Sequence, residues 1–318
     1  MKRLLLALAA TLGCVGALAA YPDNAITVVV GFPPGSAPDV AARVVTQKLA
    51  TRLGQAVVVE NRAGAAGTIG AASVARAPAD GYTLLFGSAS NLTVGPALYK
   101  NLSYDTARSF TPVVQMLRGA FILTARSGLP FNDLKGLVAY AKQRPGGLTY
   151  GSSGNGSLHH LCMEMFKSSA GVYITHIPFR GSPPNWLALN GGEVDMICDS
   201  MPNPEPTLQS GRGRAIAVTG DRKVDALPSV RTFKEQGYPS VDIEFWYGFL
   251  APAGTPSDIV NKLNAEITAV LKDPEIVNRY KAQSIEIVPG KPEDFGRLLA
   301  AEAKVWPAVV HKAGVKID

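Results

Sequence analysis

A glycine- and serine-rich loop at residues 151–157 is the segment of this sequence best suited to hold an anion. It follows the apolar strand pattern of residues 148–150 and precedes a helical pattern that begins at Leu158. Backbone N–H groups at the start of a helix carry partial positive charge and bind anions there. The loop therefore predicts an anion-binding site, and the alternative is a flexible turn whose serine only caps the helix.

The same loop lacks the features of three familiar sites. A dinucleotide-binding loop needs a third glycine where this chain has His159, and a Walker loop needs a Gly-Lys-Ser/Thr sequence that does not occur. The Gly-x-Ser-x-Gly elbow of serine hydrolases is also missing. Ser153 and Ser157 are close in sequence to His159 and His160, so an exported serine-type hydrolase acting on a carboxylate ester remains the alternative function.

Two further loops supply candidate ligand contacts. Phe32, Pro34 and Ser36 follow a β-branched run and offer an aromatic wall, a stiff turn and a hydroxyl. Asp39, at the start of the next helix, is either a ligand contact or an acid that caps the first turn. Arg180, which follows a later strand pattern, is either a bidentate partner for a second carboxylate or a solvated surface arginine.

Neither a metal nor a cofactor is expected. The histidines show no spacing typical of metal ligands and form no cluster with cysteine; they are His159, His160, His176 and His311. Cys162 and Cys198 are the cysteines that follow the N-terminal apolar segment. They form either a disulfide, which an oxidising compartment permits, or two buried free thiols.

The N-terminus has the pattern of a secretory signal peptide. Lys2 and Arg3 precede an apolar run, and small residues lead to Ala20, where we expect cleavage. Residues 1–20 are therefore predicted to be removed, which places the mature chain in the periplasm. A lipoprotein anchored through Cys14 is the alternative. No later apolar stretch is long enough to span a membrane.

Charge and length limit the classes of function. The formal net charge of +6 falls to +4 without Lys2 and Arg3, and the remaining basic residues are dispersed. No nucleic-acid-binding surface is therefore expected, whereas a mild positive balance suits a small anionic ligand. The 318 residues, less the first 20, leave enough chain for two lobes with their own cores.

Strand and helix patterns alternate along the chain. Apolar runs such as residues 26–30 and 83–86 predict buried parallel strands, and amphipathic stretches such as residues 39–53 predict the helices between them. Two successive strand–helix sets predict an α/β protein with two lobes. The strand at 244–250 and the last helices are expected to return to the first lobe, which gives two chain crossings near 115–124 and 244–250. Because ligands bind at the carboxyl ends of parallel strands, the cleft should lie between the lobes.

Eight short segments carry a family resemblance through their order and spacing. They are VVGFPPG (29–35), ENRAGAAG (60–67), PADGYTLL (78–85), GSSGNGSLHH (151–160), HIPFRG (176–181), GGEVD (191–195), WYG (246–248) and APAGTP (251–256). On these segments the chain, from about Tyr21 to its C-terminus, resembles the Bug family, the periplasmic receptors of tripartite tricarboxylate transporters. The resemblance implies a type II periplasmic-binding-protein fold, a carboxylate held by backbone amides and ordered water, and delivery to a two-component membrane permease. We expect lobe 1 to comprise residues 21–120 and 248–318, and lobe 2 residues 121–247.

Carried over by position, the resemblance assigns ligand contacts to the loops that follow the strands. In lobe 1 these are Phe32, Pro34, Ser36 and Asp39, with Ser88, Ser90 and Asn91 from a loop predicted at residues 87–91. In lobe 2 they are Ser152, Ser153, Asn155, Gly156, Ser157, His160, Phe179, Arg180 and Asp199. Ser36 stands where the family has a second glycine, and Pro38 removes an amide donor, so the set of binding amides changes here. Arg180 replaces a lysine, and its planar fork suits a flat second carboxylate.

The sequence therefore predicts an exported solute-binding protein, and not an enzyme, that closes two lobes around a mono- or dicarboxylate. An aromatic acid is among the candidates because Phe32, Phe179 and Trp246 are predicted near the cleft. The expected partners are this ligand and the permease, with a signalling receptor as the alternative partner. The protein is expected to be a monomer.

Overall fold

The computed structural model describes residues 21–221 and 224–315. The predicted signal peptide, residues 1–20, and its cleavage site at Ala20 lie outside the described residues. Within the described part, no helix combines the length and the apolar character needed to cross a membrane.

Strands and helices alternate through most of the described chain. The strands are β1 (Ile26–Val30), β2 (Val57–Asn61), β3 (Thr83–Ser88), β4 (Phe110–Arg126), β5 (Thr149–Ser152), β6 (Thr175–Pro178), β7 (Met196–Ser200), β8 (Gly213–Val218), β9 (Glu244–Pro252) and β10 (Glu286–Ile287). The helices are α1 (Ala37–Leu53), α2 (Thr68–Val74), α3 (Gly95–Leu98), α4 (Thr106–Ser109), α5 (Leu134–Gln143), α6 (Leu158–Ala170), α7 (Ser182–Gly191), α8 (Glu205–Gln209), α9 (Ser257–Leu271), α10 (Pro274–Ala282) and α11 (Pro292–Ala313). A short 3-10 turn at Ala65–Gly67 and a π-helical turn at Ser90–Val94 precede α2 and α3.

The first sheet is built around the β-branched run predicted at residues 26–30. β1 lies between β2 and β3 and is parallel to both, and Val28, Val29 and Val30 are fully buried. β-Branched side chains that are buried on both faces suit a central parallel strand, so this prediction is confirmed. β9 pairs antiparallel with β3, which returns the C-terminal part of the chain to the first sheet.

β4 passes through both sheets. Its residues up to Ala120 pair with β9, and its residues from Phe121 onward pair with β7 and β8. The apolar pattern predicts a strand only at residues 121–124, whereas β4 contains 17 residues. The register shifts between Pro112 and Val114 and again between Gln115 and Leu117. These irregularities, and the missing N–H of Pro112, interrupt the alternating pattern that marks a strand.

The second sheet contains the parallel strands of the other lobe. β5 lies between β6 and β7 and is parallel to both, and β7 joins β4 antiparallel. The chain leaves the first sheet along β4 and re-enters it along β9. The predicted architecture, two α/β lobes with two chain crossings, is therefore confirmed.

A disulfide joins α6 to β7. It links Cys162 and Cys198, both of which are fully buried. Of the two alternatives that the sequence left open, the disulfide is the one observed, and it ties the helix after the glycine-rich loop to a neighbouring strand.

Candidate functional site

A small cavity between the lobes collects side chains from both sheets. Its volume is about 30 Å³, which is room for about two water molecules. Its polar lining consists mainly of serine hydroxyls, and aromatic rings form much of the rest. The serines are Ser36, Ser88, Ser90, Ser153 and Ser182; the rings are Phe32, Phe121, Phe245 and Tyr247; and His159 and Asp199 also line it. Most of the polar residues stand at or just beyond the carboxyl ends of strands, where α/β sheets bind ligands.

The loop after β1 is braced by Asp39. The Asp39 carboxylate accepts hydrogen bonds from Gly35 N at 2.9 Å, Arg43 Nε at 3.0 Å and Asn61 Nδ2 at 2.8 Å. Burial raises the pKa of this carboxyl, but the hydrogen bonds outweigh burial and hold the pKa below its ordinary value. Asp39 does not line the cavity, so it acts as a supporting acid, and Ser36 is the side chain that reaches the cavity from this turn.

Residues 87–91, predicted as a loop, are strand and helix instead. Ser88 ends β3, and Ser90 begins the π-helical turn that continues into α3. The segment is buried, and a buried backbone needs the hydrogen bonds that a strand or a helical turn provides, whereas composition alone indicated a loop. Asn91 Oδ1 accepts a hydrogen bond from Ser88 N at 2.9 Å. Asn91 therefore supports the turn, while Ser88 and Ser90 line the cavity.

The glycine- and serine-rich loop uses several of its donors inside the protein. Ser157 caps α6, because its Oγ accepts a hydrogen bond from His160 N at 3.3 Å. Gly156 N donates to His160 Nδ1 at 3.2 Å, and Leu158 N donates across the cleft to Ser90 Oγ at 3.3 Å. The amide N–H groups of Gly156, Leu158 and His160 therefore have partners within the protein, and a carboxylate held by backbone amides stays a prediction.

His160 lies behind the loop. Its ring stacks on that of His176 with the centroids 4.0 Å apart, and His176 Nε2 lies 2.7 Å from Ser152 Oγ. Burial lowers the pKa of His160 to about 4 and that of His176 to about 3, because a buried site disfavours the charged imidazole. Both rings are neutral near pH 7. Ser152 and His160, predicted as ligand contacts, hold the loop in place and do not line the cavity.

Three polar side chains in the cavity form a hydrogen-bonded chain. Ser153 Oγ is hydrogen-bonded with His159 Nδ1, and His159 Nε2 lies 2.9 Å from Asp199 Oδ1. His159 was not among the predicted contacts. Residues three apart on a helix share a face, and His159 precedes Cys162 by three residues. Because Cys198 is the neighbour of Asp199, a pairing of Cys162 with Cys198 is the signal that could have placed His159 near Asp199.

Asp199 is a carboxylate in a fully buried position. It accepts hydrogen bonds from Trp186 Nε1 at 2.8 Å, Ser200 N at 2.7 Å and Asn203 Nδ2 at 3.1 Å. Burial raises its pKa, but His159 and these donors lower it, and the pKa lies below its ordinary value. Asp199 is therefore ionised and only accepts hydrogen bonds, so the facing Nε2 of His159 carries a hydrogen.

A wider groove adjoins the small cavity. Its volume is about 480 Å³, and Phe32 and Ser153 line both spaces. Phe179 and Arg180 also line the groove, as predicted for the edge of the cleft. Arg180 is exposed, and among residues 21–221 and 224–315 its guanidinium has no hydrogen-bond or ion-pair partner. It is thus available to an anion in the groove.

Three residues that the sequence associated with the cleft contribute in other ways. Asn155 lines the groove, and its carbonyl oxygen accepts a hydrogen bond from the Tyr99 hydroxyl at 3.1 Å. Pro34 is exposed and lines neither space. Trp246 Nε1 donates to Glu302 Oε1 at 2.8 Å. Because side chains alternate along a strand, Trp246 points away from the cavity that its neighbours in β9 face.

Ser182, Phe121, Phe245 and Tyr247 line the cavity without having been predicted as contacts. Ser182 is the first residue of α7. The three rings come from β4 and β9, which are paired with each other. No local pattern marks these rings, because their common position depends on two strands that are distant in sequence.

A larger cavity lies elsewhere. Its volume is about 600 Å³, and its lining includes Arg118, Glu244 and Lys281 but none of the predicted site residues. It is formed partly by α10 and β10 and not by the loops that follow the parallel strands. The small cavity with its adjoining groove is therefore the candidate site.

Comparison with known proteins gives a consistent result. Residues 41–315 match the model of a family described as “Tripartite tricarboxylate transporter family receptor”. The chain is 37% identical over 294 residues to the UPF0065 protein in the tcbD-tcbE intergenic region of Pseudomonas sp. (strain P51), covering 92% of this chain and 87% of that protein. It is 36% identical over 298 residues to Protein BugT of Bordetella pertussis, covering 93% of this chain and 91% of that protein.

Solved structures agree with this match. R. palustris Rpa4515 with adipate is 35% identical with a TM-score of 0.89, covering 93% of this chain and 99% of that one. The periplasmic binding protein BugD gives the same values. MatC (Rpa3494) from Rhodopseudomonas palustris with bound malate is 32% identical with a TM-score of 0.87, covering 91% of this chain and 100% of that one. The expected periplasmic-binding-protein fold is thus confirmed.

Proposed function

This chain belongs to the tripartite tricarboxylate transporter receptor family, and on that premise we propose that it captures a dicarboxylate in the periplasm and passes it to a two-component membrane permease. It is a solute-binding receptor for small carboxylates and not an enzyme. The resemblance to the Bug family is confirmed by the relatives. Adipate and malate, bound to two of the similar structures, are both dicarboxylates.

The observation that supports this proposal most is the serine-lined cavity between the lobes. One carboxylate of the ligand accepts hydrogen bonds there, and the ligand carbons extend past Phe32 into the groove. The second carboxylate meets Arg180, which can bind it with two parallel hydrogen bonds. The proposed contacts are Phe32, Ser36, Ser88, Ser90, Ser153, Ser182, His159, Phe179 and Arg180. The residues proposed to hold these contacts in place are Pro34, Asp39, Asn91, Ser152, Asn155, Gly156, Ser157, His160 and Asp199.

Closure of the lobes traps the ligand in this proposal. In this proposal the carboxylate in the space of about 30 Å³ is enclosed by serines of both lobes, so we infer that it enters while the lobes are apart. We keep residues 21–120 with 248–318, and residues 121–247, as the proposed moving bodies. Because β4 changes partners after Ala120, its pairing supports a boundary between residues 120 and 121. β9 already pairs with the first-lobe part of β4 at Glu244, which favours a boundary slightly before residue 247. The receptor acts as a monomer after loss of residues 1–20.

The hydrolase alternative is rejected. Ser153, His159 and Asp199 are of the types that a serine hydrolase uses. The family to which the chain belongs nevertheless consists of solute-binding receptors. We therefore assign Ser153 and His159 to ligand contact and Asp199 to holding His159 in place.

Calorimetry with paired acids tests the proposal. Dicarboxylates from succinate to adipate, and phthalate, are compared with monocarboxylates of matched length. Dicarboxylates should bind at least about tenfold more tightly, because a charge-assisted pair with Arg180 contributes about 1.5–3 kcal/mol. Arg180→Gln should remove most of this difference, and Arg212→Gln, which alters another exposed arginine, should preserve it. Absence of binding to every acid, or equal binding of both classes, would reject the dicarboxylate proposal.

A further inference from the structure

His159 uses both of its ring nitrogens within the cavity. Nε2 faces Asp199 at 2.9 Å, and Nδ1 faces the Ser153 hydroxyl. Asp199 is buried and only accepts, so Nε2 carries a hydrogen in either charge state of the ring. The charge of the ring therefore decides only whether Nδ1 accepts or donates.

The two charge states give Ser153 opposite roles. In the neutral ring, Nδ1 accepts the hydrogen of the Ser153 hydroxyl. In the imidazolium, Nδ1 donates to Ser153 Oγ, and the serine hydrogen is free to turn toward another acceptor. A carboxylate in the cavity is such an acceptor, and its negative charge also stabilises the imidazolium.

We propose that His159 takes up one proton when a carboxylate enters the cavity, so that this receptor captures its anion together with a proton. The inference rests on the proposed function. The proton comes from the solvent and binds at Nδ1, while Ser153 donates its hydrogen bond to the carboxylate. The carboxylate stays ionised, and no covalent bond of the ligand changes.

The ionisable groups on the elements around His159 keep a constant charge. Burial raises the pKa of Tyr247 on β9, so its hydroxyl stays neutral. Asp199 on β7 stays ionised, and on α6 itself Glu164 pairs with Lys167 at 2.5 Å. The remaining neighbours in the cleft, whose charge does not change, are Phe121 of β4, Ser36, Ser88, Ser90, Ser182 and Arg180. His159 is therefore the side chain of the cleft to which we assign the proton, because its Nδ1 faces the Ser153 hydroxyl.

Calorimetry in buffers with different ionisation enthalpies counts the protons taken up. The unaltered protein is titrated with succinate, malate, adipate and phthalate between about pH 6.5 and pH 8.5, where these acids are ionised. We expect an uptake that approaches one proton per bound anion. Linkage then makes the affinity rise by up to about tenfold for each unit by which the pH falls.

Two matched variants locate the proton. The His159→Gln side chain can still donate to Asp199 but cannot take up a proton, so the anion should bind with no uptake and with an affinity that no longer depends on pH. His311→Gln alters an exposed histidine on α11 and should keep the full uptake. His160 and His176 do not interfere, because burial keeps them neutral in this range. Thermal unfolding of each variant checks that it is folded.

The outcomes separate the inference from the proposed function. If an acid binds the unaltered protein without proton uptake, or if the uptake persists in folded His159→Gln protein, the inference is overturned and the proposed function stands. If none of the four acids binds the unaltered protein, the proposed function fails and the inference fails with it.

Discussion

Gly181 and Pro33 meet across the cleft so closely that a Cβ atom on Gly181 would lie 2.6 Å from Pro33 Cγ. Gly181 immediately precedes α7 of the second lobe, and Pro33 is in the loop after β1 of the first. Beside them, the Tyr99 hydroxyl donates to the carbonyl oxygen of Asn155 at 3.1 Å. In the proposed motion these contacts form only when the lobes come together, so we assign them to the closed state.

Replacing Gly181 with alanine should hinder closure. The added methyl group would push Pro33 away, and the φ of +104° at Gly181 is also unfavourable for alanine. We expect dicarboxylate affinity to fall by more than about tenfold, mainly through faster dissociation, because ligand contacts from one lobe are lost. Stopped-flow measurement of the dissociation rate checks this.

Gly192→Ala is the matched control for Gly181→Ala. Gly192 also has a positive φ, of +80°, but a Cβ atom there meets nothing within 4 Å. The Gly192→Ala protein should lose stability because of backbone strain, but the ligand should dissociate from it at the same rate as from the unaltered protein. Equal dissociation rates in Gly181→Ala and the unaltered protein would show that this contact does not limit closure.

Elements that are determined by a local pattern of residues were predictable from the sequence. The β-branched run at residues 26–30 is typical of a strand that is covered on both faces, and it forms β1. A serine that caps the helix is the alternative that the sequence leaves open for the loop at residues 151–157, and Ser157 does cap α6. Arg180 was placed at the cleft because residues after parallel strands gather at one edge of a sheet.

Features that depend on distant partners were not predictable in the same way. Leu158, His159 and His160 are consecutive, and only the packing of α6 decides which of them faces the cavity. The resemblance assigns a ligand contact to His160, whereas His159 is the ring that meets Asp199. The sequence of a loop does not show which of its backbone amides already have partners. The amide of Leu158, for example, donates to Ser90 of the other lobe.

His176 should make the fold sensitive to acid. Its pKa falls from 6.5 to about 3 in the folded protein because of burial. Below pH 6.5 the unfolded chain therefore binds a proton that the folded chain does not, and stability is lost as the pH falls toward the folded pKa. Acidification from pH 7 to about pH 4.5 should cost about 1–2 kcal/mol from this histidine, because the ring is partly exposed and solvent weakens the effect of burial.

Urea unfolding of the unaltered protein and His176→Gln at both pH values isolates that contribution. Glutamine can still meet Ser152 Oγ but does not titrate, so the variant should lose less free energy of unfolding on acidification. His311→Gln, which alters an exposed histidine, should behave like the unaltered protein. If His176→Gln loses as much stability as the unaltered protein, burial of this ring is not a source of acid sensitivity.

Loss of the disulfide between Cys162 and Cys198 should weaken both the fold and the site. The bond closes a loop with a sequence separation of 36 residues, and a loop of that size implies about 3–4 kcal/mol through the restricted unfolded chain. Cys162 lies one turn after His159 on α6, and Cys198 precedes Asp199 in β7, so the bond also fixes the spacing of His159 and Asp199. The double variant Cys162→Ala/Cys198→Ala should unfold at lower urea concentration. Its dicarboxylate affinity should fall severalfold, and the unaltered protein after chemical reduction should show the same two changes. An unchanged affinity in the folded double variant would mean that packing alone holds His159 against Asp199.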